Sequence, residues 1–314
     1  MNTKGSFTIS LDFELYWGVR DTRSLGSYAE NIYNVQKVIP EILKLFSKYE
    51  IHATWCIVGF LFFKSKADLL QNLPTILPSY KDPNLNPYKY INSHSLEHVY
   101  HFAPGIIKLI NETPYQEIGT HTFSHYFTLE DGQTLEEFKA DIEFALKVDP
   151  NIKIVSVIFP RNQYNNEYLM IVKESGIKYY RGAPNSWVYK PQKHHEEKFL
   201  KRFVRLLDSY INISGNNTFD PPQQNDHLPA NILGSSFLRP YSTKLKFLEY
   251  LKFKRIANSM KDAAILGKGY HLWWHPHNFG TNVAENLIFL EKILKYYLEL
   301  NKKYGFISKA MCEY

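Results

Sequence analysis

Short strand-like apolar runs alternate along this chain with longer stretches of helical periodicity, and that alternation demands an α/β architecture built on a mostly parallel sheet or barrel. Strands are expected at 7–12, 52–58, 116–121, 152–159, 177–180 and 270–274. Residues 30–49 carry a helix pattern through Ile32, Val35, Val38, Ile39, Ile42, Leu43 and Phe46, with a kink expected at Pro40. Further helices are expected at 135–148, 165–175, 244–266 and 283–300. Two stretches break the rhythm, 72–104 and 212–236, and read as large loop insertions near the working face. Residues 190–205 are charged and fit neither period. With no repeat and no linker separating two cores, the expectation is one domain of barrel type over residues 1–314.

Composition narrows the function classes. At 314 residues, 44% hydrophobic and 16% aromatic, the chain buries a large core and is not disordered. Cys56 and Cys312 cannot form a disulfide framework, which suits a reducing compartment. No apolar leader precedes the first strand, so a cytoplasmic location is expected. The most apolar stretch, 53–63, is about half of the ~20 residues that cross a bilayer. A net charge of +6 is too mild to argue nucleic acid, but it suits an anionic substrate or peripheral contact with an anionic membrane surface.

Three expected strand ends carry polar residues, the positions where such folds place their chemistry. The first gives Asp12 and Glu14, which share a side if the chain stays extended and then need a cation or a proton between them. The second gives His121 and His125, whose i, i+4 spacing lets two imidazoles reach one ion. Together these supply a His-His-carboxylate set suited to Zn²⁺, Fe²⁺ or Co²⁺ with open positions for water. The third gives His275 beside Trp273 and Trp274, an acid poised over a substrate pocket.

In these segments, in their order, and in Ala53-Thr-Trp-Cys-Ile-Val-Gly59, the chain resembles the polysaccharide deacetylase family, the NodB-homology group of carbohydrate esterase family 4. His121-Thr-Phe-Ser-His125 matches the family's H-[ST]-x-x-H metal motif in full. The resemblance implies a distorted (β/α)7-type barrel, with Asp12 as general base, Glu14, His121 and His125 as metal ligands, and His275 as general acid. Arg161, in Phe159-Pro-Arg161-Asn-Gln-Tyr164, would orient Asp12 from a displaced family motif, and a backbone amide near 162–164 would hold the oxyanion. The wording around His275 resembles deacetylase-like proteins of capsule and O-antigen gene clusters.

The implied reaction removes an acetyl or formyl group from an amino sugar, with a nucleotide- or lipid-linked acylamino sugar or oligosaccharide as substrate. Trp17, Tyr164, Arg239, Trp274 and His277 are candidate substrate-binding residues. Two alternatives stay open: an allantoinase-like amidohydrolase acting on a small non-sugar amide, and a non-catalytic glycan-binding relative. Among the other histidines, His94, His98 and His101 could line the cleft, and His271 could support it. His52, His194, His195 and His227 suggest no role.

Overall fold

The computed structural model describes residues 4–193, 196, 199–222 and 227–314. Its organising strand is β1, Ser6–Phe13, whose residues alternate strictly between polar and apolar. The apolar set, Phe7, Ile9, Leu11 and Phe13, joins the main hydrophobic core with the helices. The polar set faces the inside of a curled sheet. There Ser6 and Thr8 hydroxyls meet the Tyr314 hydroxyl at 2.8 Å, and Ser10 Oγ meets His271 Nε2 at 2.8 Å. Both faces are buried, as expected for a strand with neighbours on either side and helices behind it.

The other strands are β2 (Ala53–Ile57), β3 (Gln116–Thr120), β4 (Ser156–Val157), β5 (Tyr179–Tyr180), β6 (Ala230–Asn231), β7 (Ser236–Phe237), β8 (Gly269–Trp274) and β9 (Ile307–Ser308). All pair in parallel, in the order β6-β5-β4-β3-β2-β1-β8-β7, with β9 also on β1. The two edges are bridged by one short segment. Ile232 N donates to Tyr180 O and Gly234 N to Gly182 O, and then Ser235 N donates to His271 O and Leu238 N to Trp273 O. The sheet thus curls until one stretch of chain bonds to both of its sides, which is the distorted barrel that the family resemblance implies.

The helices are α1 (Leu25–Tyr33), α2 (Val35–Lys48), α3 (Lys66–Leu70), α4 (Pro87–Ser93), α5 (His98–His101), α6 (Pro104–Glu112), α7 (Leu135–Ala145), α8 (Asn166–Glu174), α9 (Phe199–Asp208), α10 (Glu249–Leu266) and α11 (Val283–Tyr304). The first expected helix is divided at Asn34 rather than at Pro40, which sits inside α2. Asn34 Nδ2 reaches Gly280 O at 2.7 Å, fastening the junction to the turn that follows β8.

Neither expected insertion is a simple loop. Residues 72–104 hold α4 and α5, with Pro87 at the first position of α4 and the Asn86 side chain accepting from Tyr88 N and Lys89 N. Residues 212–236 supply β6 and β7, with 223–226 outside the described residues. The ambiguous stretch 190–205 leads into α9, and His194 and His195 lie outside the described residues. The expected strand 152–159 keeps only Ser156–Val157 in register.

Candidate active site

The chain leaves β1 at Phe13 and places Glu14 at once above the barrel, where a 3-10 turn, Leu15–Gly18, begins. Leu15 takes a positive φ of 45°, a conformation that L residues rarely adopt and that recurs where a site fixes its backbone. Gly18 then lies directly against the Glu14 carboxylate: a Cβ there would fall 1.9 Å from Glu14 Cδ. The absence of a side chain at 18 is what lets Glu14 fold back over the sheet.

At the end of β3 the chain turns sharply through His121-Thr-Phe-Ser-His125, with Thr122 and His125 at φ of 64° and 59°. The turn is held from two sides. Gly59 N donates to Thr122 O and Phe60 N to Phe123 O. A Cβ on Gly59 would meet Phe123 Cα at 2.9 Å, so only glycine permits that approach. From α7, the buried Asp141 carboxylate accepts from Phe123 N at 2.8 Å, Ser124 N at 3.1 Å and the Ser124 hydroxyl. Burial lifts the Asp141 carboxyl to about 7 against the pull of those donors. This support was missed in the sequence. Its signal is an aspartate standing beside the apolar Phe138, Ile142 and Ala145 on the buried side of α7.

These two pieces bring Glu14, His121 and His125 together, with one ligand atom from each within 4.8 Å of the others. Glu14 Oε2 lies 3.2 Å from His121 Nε2 and 3.0 Å from His125 Nε2. His121 Nδ1 donates to Ile158 O at 2.8 Å, so a neutral His121 turns a lone pair toward a carboxylate oxygen. Two lone pairs at that distance repel unless a cation or a proton lies between them. Burial lowers His125 to about 4, which keeps that ring neutral near pH 7, and its Nδ1 is buried with no partner. Burial would raise Glu14, but the neighbouring imidazoles of His275, His121 and His125 outweigh it and hold the carboxyl well below its ordinary value. One imidazole fixed by an outer hydrogen bond, a second that burial keeps neutral and one ionised carboxylate fit a divalent ion of the zinc type.

Asp12 is paired differently. Arg181, immediately after β5, grips both carboxylate oxygens, Nη1 to Oδ1 at 2.7 Å and Nη2 to Oδ2 at 2.8 Å. The same guanidinium reaches Ser10 Oγ at 3.1 Å and Asn162 Oδ1 at 3.2 Å, and its Cζ lies 4.0 Å from the Trp273 ring centroid. Burial alone would raise Asp12, but Arg181, His275 and His121 leave it below its ordinary value. Arg161 does not orient the base as expected. Its guanidinium pairs with Asp21, lies 3.5 Å from Glu130 and covers the Phe127 ring. Arg161 and Asn162 both have positive φ, which turns Asn162 toward Arg181 and Arg161 away. The Asn162 and Gln163 amides are spent on Phe159 O and Pro160 O, so neither serves an oxyanion. Arg181 was missed, although as a cation just beyond an expected strand it satisfies the rule that singled out Asp12, His121 and His275.

His275, just past β8, completes the group. Its Nε2 stands 3.6 Å from Asp12 Oδ2 and 3.6 Å from Glu14 Oε1, while Nδ1 lies 3.3 Å from Asn278 Oδ1. It is the one member of the set partly open to solvent. It lines a cleft of about 300 Å³ with Glu14, Gly18, Val19, Thr22, Arg23, Tyr28, Phe237, His277 and Asn278. That volume is at the lower end of the range for small-molecule clefts.

The remaining candidates divide. His277 lines this cleft and stacks on His275, with ring centroids 5.1 Å apart. Trp17 does not offer a stacking face: it is buried, its Nε1 donates to His101 O at 2.8 Å, and it packs on Phe60 and Tyr90. Trp274 is likewise buried, against Phe46 and Phe279. Arg239 lies away from the cleft lining, its Nε on Ser209 Oγ. The Tyr164 hydroxyl accepts from Ala183 N, and its ring sits between Phe159 and Tyr180. His94, His98 and His101 do not line the cleft; His101 is a core residue bonded to Tyr90 and Glu97 O. His271, buried, holds Ser10 beneath Arg181.

Residues 26–180 match the polysaccharide deacetylase family model. No curated protein matches the sequence. Among solved structures, a Mycobacterium smegmatis protein assigned as a polysaccharide deacetylase superposes with a TM-score of 0.59 at 10% identity, covering 100% of this chain and 90% of that one. A 4-alpha-glucanotransferase from Thermococcus litoralis gives 0.51 at 14% identity, over 98% of this chain and 37% of that one. A Bordetella bronchiseptica protein assigned as a polysaccharide deacetylase of O-antigen biosynthesis gives 0.42 at 12% identity, over 93% and 91%. The first two likenesses show the fold.

Two outcomes follow from the geometry. Arg181→Ala strands a buried Asp12 charge and should cost ~3–5 kcal/mol in chemical denaturation. Arg161→Ala should leave Asp12 in place, so the reverse ranking of the two variants would contradict the pairing. Gly18→Ala should displace Glu14 and weaken zinc binding at least about ten-fold by titration calorimetry, since one ligand of the set is moved. Unchanged affinity would show that Glu14 is not a ligand.

Proposed function

We propose that this chain, whose residues 26–180 match the polysaccharide deacetylase family model, is a metal-dependent hydrolase that removes an N-acetyl or N-formyl group from an amino sugar in surface-polysaccharide biosynthesis. The observation that carries the reading is the different pairing of two neighbouring carboxylates. Glu14 is given to two imidazoles, whereas Asp12 is held by an arginine and left outside that set. A zinc ion, or Fe²⁺ or Co²⁺, held by Glu14, His121 and His125 would supply Lewis acidity to the acyl carbonyl and to a water.

The chain's own groups account for the protons. Asp12, ionised and oriented by Arg181, takes the proton from water as the oxygen attacks the acyl carbon. His275, protonated, gives its proton to the nitrogen as the C–N bond breaks. A free amino sugar and acetate or formate result. His277 packs beneath His275, and Asn278 fixes its Nδ1, so the ring keeps its Nε2 toward the reacting centre.

The substrate in this reading is a nucleotide- or lipid-linked acylamino sugar or oligosaccharide end. Two features support that class: a small cleft, and Arg23 on its lining. Arg23 is exposed and has no ion pair among the described residues, so its guanidinium is available to a phosphate. It takes the role expected of Arg239. A cytoplasmic setting belongs to the same proposal and is supported by unpaired Cys56 and Cys312.

The test is metal analysis of the purified protein joined to acetate and formate release from UDP-linked and polyprenyl-linked acylamino sugars. A bound divalent ion and release from at least one substrate are expected, with Asp12→Asn lowering kcat by ~10²–10⁴-fold. No metal and no release would overturn the proposal. Arg23→Ala should raise KM for a phosphate-bearing substrate by about ten-fold with kcat little changed, the pattern of lost uniform binding. An unchanged KM would remove Arg23 from the substrate site.

A further inference from the structure

The helix α9 has a sequence, Phe-Leu-Lys-Arg-Phe-Val-Arg-Leu-Leu-Asp, strongly divided between apolar and cationic residues, yet only Asp208 of its ten residues is buried. An amphipathic helix ordinarily hides its apolar face in the core. Here Phe199 is 83% exposed, Leu200 60% and Phe203 46%, three residues at i, i+1 and i+4 that share one side. The helix is fastened through polar contacts instead, Lys201 Nζ to Gln192 Oε1 in its first turn and Asp208 at its far end. The Asp208 carboxylate accepts from Tyr189 OH at 2.6 Å, Ile213 N at 2.9 Å and Ser214 N at 2.8 Å. The fold thus fixes α9 by polar contacts and leaves Phe199, Leu200 and Phe203 exposed.

The surroundings indicate what covers that side. Lys201, Arg202 and Arg205 accompany the apolar residues on the helix. Its end abuts the start of α10: Tyr210 and Leu251 line one small cavity, and Arg239 Nε bonds Ser209 Oγ while its carbonyl accepts from Lys252 Nζ. At that junction Phe247 and Tyr250 are exposed, with Lys244 and Lys246 beside Phe247 and Lys254 over the Tyr250 ring. Exposed aromatic and aliphatic side chains interleaved with lysine and arginine suit the interface of an anionic bilayer, where apolar groups enter the headgroup boundary and cations meet lipid phosphates. No helix among the described residues is long and apolar enough to span a bilayer, so the contact is with its surface.

We propose that α9, with Phe247 just before α10 and Tyr250 in its first turn, docks this protein on an anionic membrane surface. The segment that leads into α9 begins at Arg181, and Gln192 O accepts from Gln163 Nε2, next to the Asn162 that touches Arg181. The inference concerns attachment and stands apart from the deacylase reading.

The experiment is co-sedimentation of the full chain with vesicles of phosphatidylcholine alone or mixed in equal parts with phosphatidylglycerol. Binding should be at least about ten-fold stronger to the mixed vesicles and should weaken with added salt. The double variant Phe199→Ser, Phe203→Ser should lose most of that binding, and Lys244→Glu with Lys246→Glu should reduce it. Both should keep the thermal midpoint and any acyl release from a soluble nucleotide-linked substrate. That release is read separately, so its absence would bear on the deacylase proposal alone. No preference for mixed vesicles, or binding untouched by either double variant, would overturn the docking proposal. So would wild-type self-association that the Phe199/Phe203 variant abolishes without any vesicle binding, which would assign the face to a second copy of the chain.

Discussion

Asp12 and Arg181 meet inside the barrel through two parallel hydrogen bonds, both side chains almost wholly withdrawn from water. Desolvating two full charges costs several kcal/mol per ion, recovered only if geometry is good and the remaining donors are satisfied. The barrel meets much of that demand. Ser10 and Asn162 accept from the guanidinium, Trp273 covers its face, and His271 holds Ser10 from below. On the polar inner side of β1, Ser10 and Asp12 meet that demand, while Ser6 and Thr8 bond the Tyr314 hydroxyl. An arginine is required because its planar fork matches a carboxylate at two points, which a lysine cannot do.

That pairing separates two carboxylates only two residues apart. Without it, Asp12 and Glu14 would compete for the same cations, and one would be protonated. With Arg181 committed to Asp12, Glu14 turns to His121 and His125, and His275 stands 3.6 Å from each acid. The backbone is shaped to permit this. Gly18 makes room for Glu14, Gly59 for the histidine turn, and Asp141 ties that turn to α7.

Much of this was legible in the sequence because it is local. The alternation of β1, the two histidines four residues apart and a histidine past a late strand each need only neighbours in the chain to be recognised. What was hidden depends on partners far away. Arg181 follows a strand with only two residues in register, and its role appears only when β5 is brought round to face β1. Arg161 stood nearer the family's motif but is carried off by its own left-handed backbone. Trp17 and Trp274 have the composition of sugar-stacking residues, and nothing short of the packing distinguishes that from core. The short strands at Ala230–Asn231 and Ser236–Phe237 were lost for the same reason: two residues carry no periodicity, and their pairing is fixed by both sheet edges at once.

The central claim is that neighbouring carboxylates do separate work, Glu14 in the ligand set and Asp12 outside it. Zinc titration into metal-free protein, followed by calorimetry, tests this most directly when Asp12→Asn and Glu14→Gln are compared with the wild type. The account predicts that Asp12→Asn binds one equivalent with near wild-type affinity, while Glu14→Gln loses at least about ten-fold. If Asp12→Asn instead loses the metal and Glu14→Gln keeps it, the division of labour is contradicted.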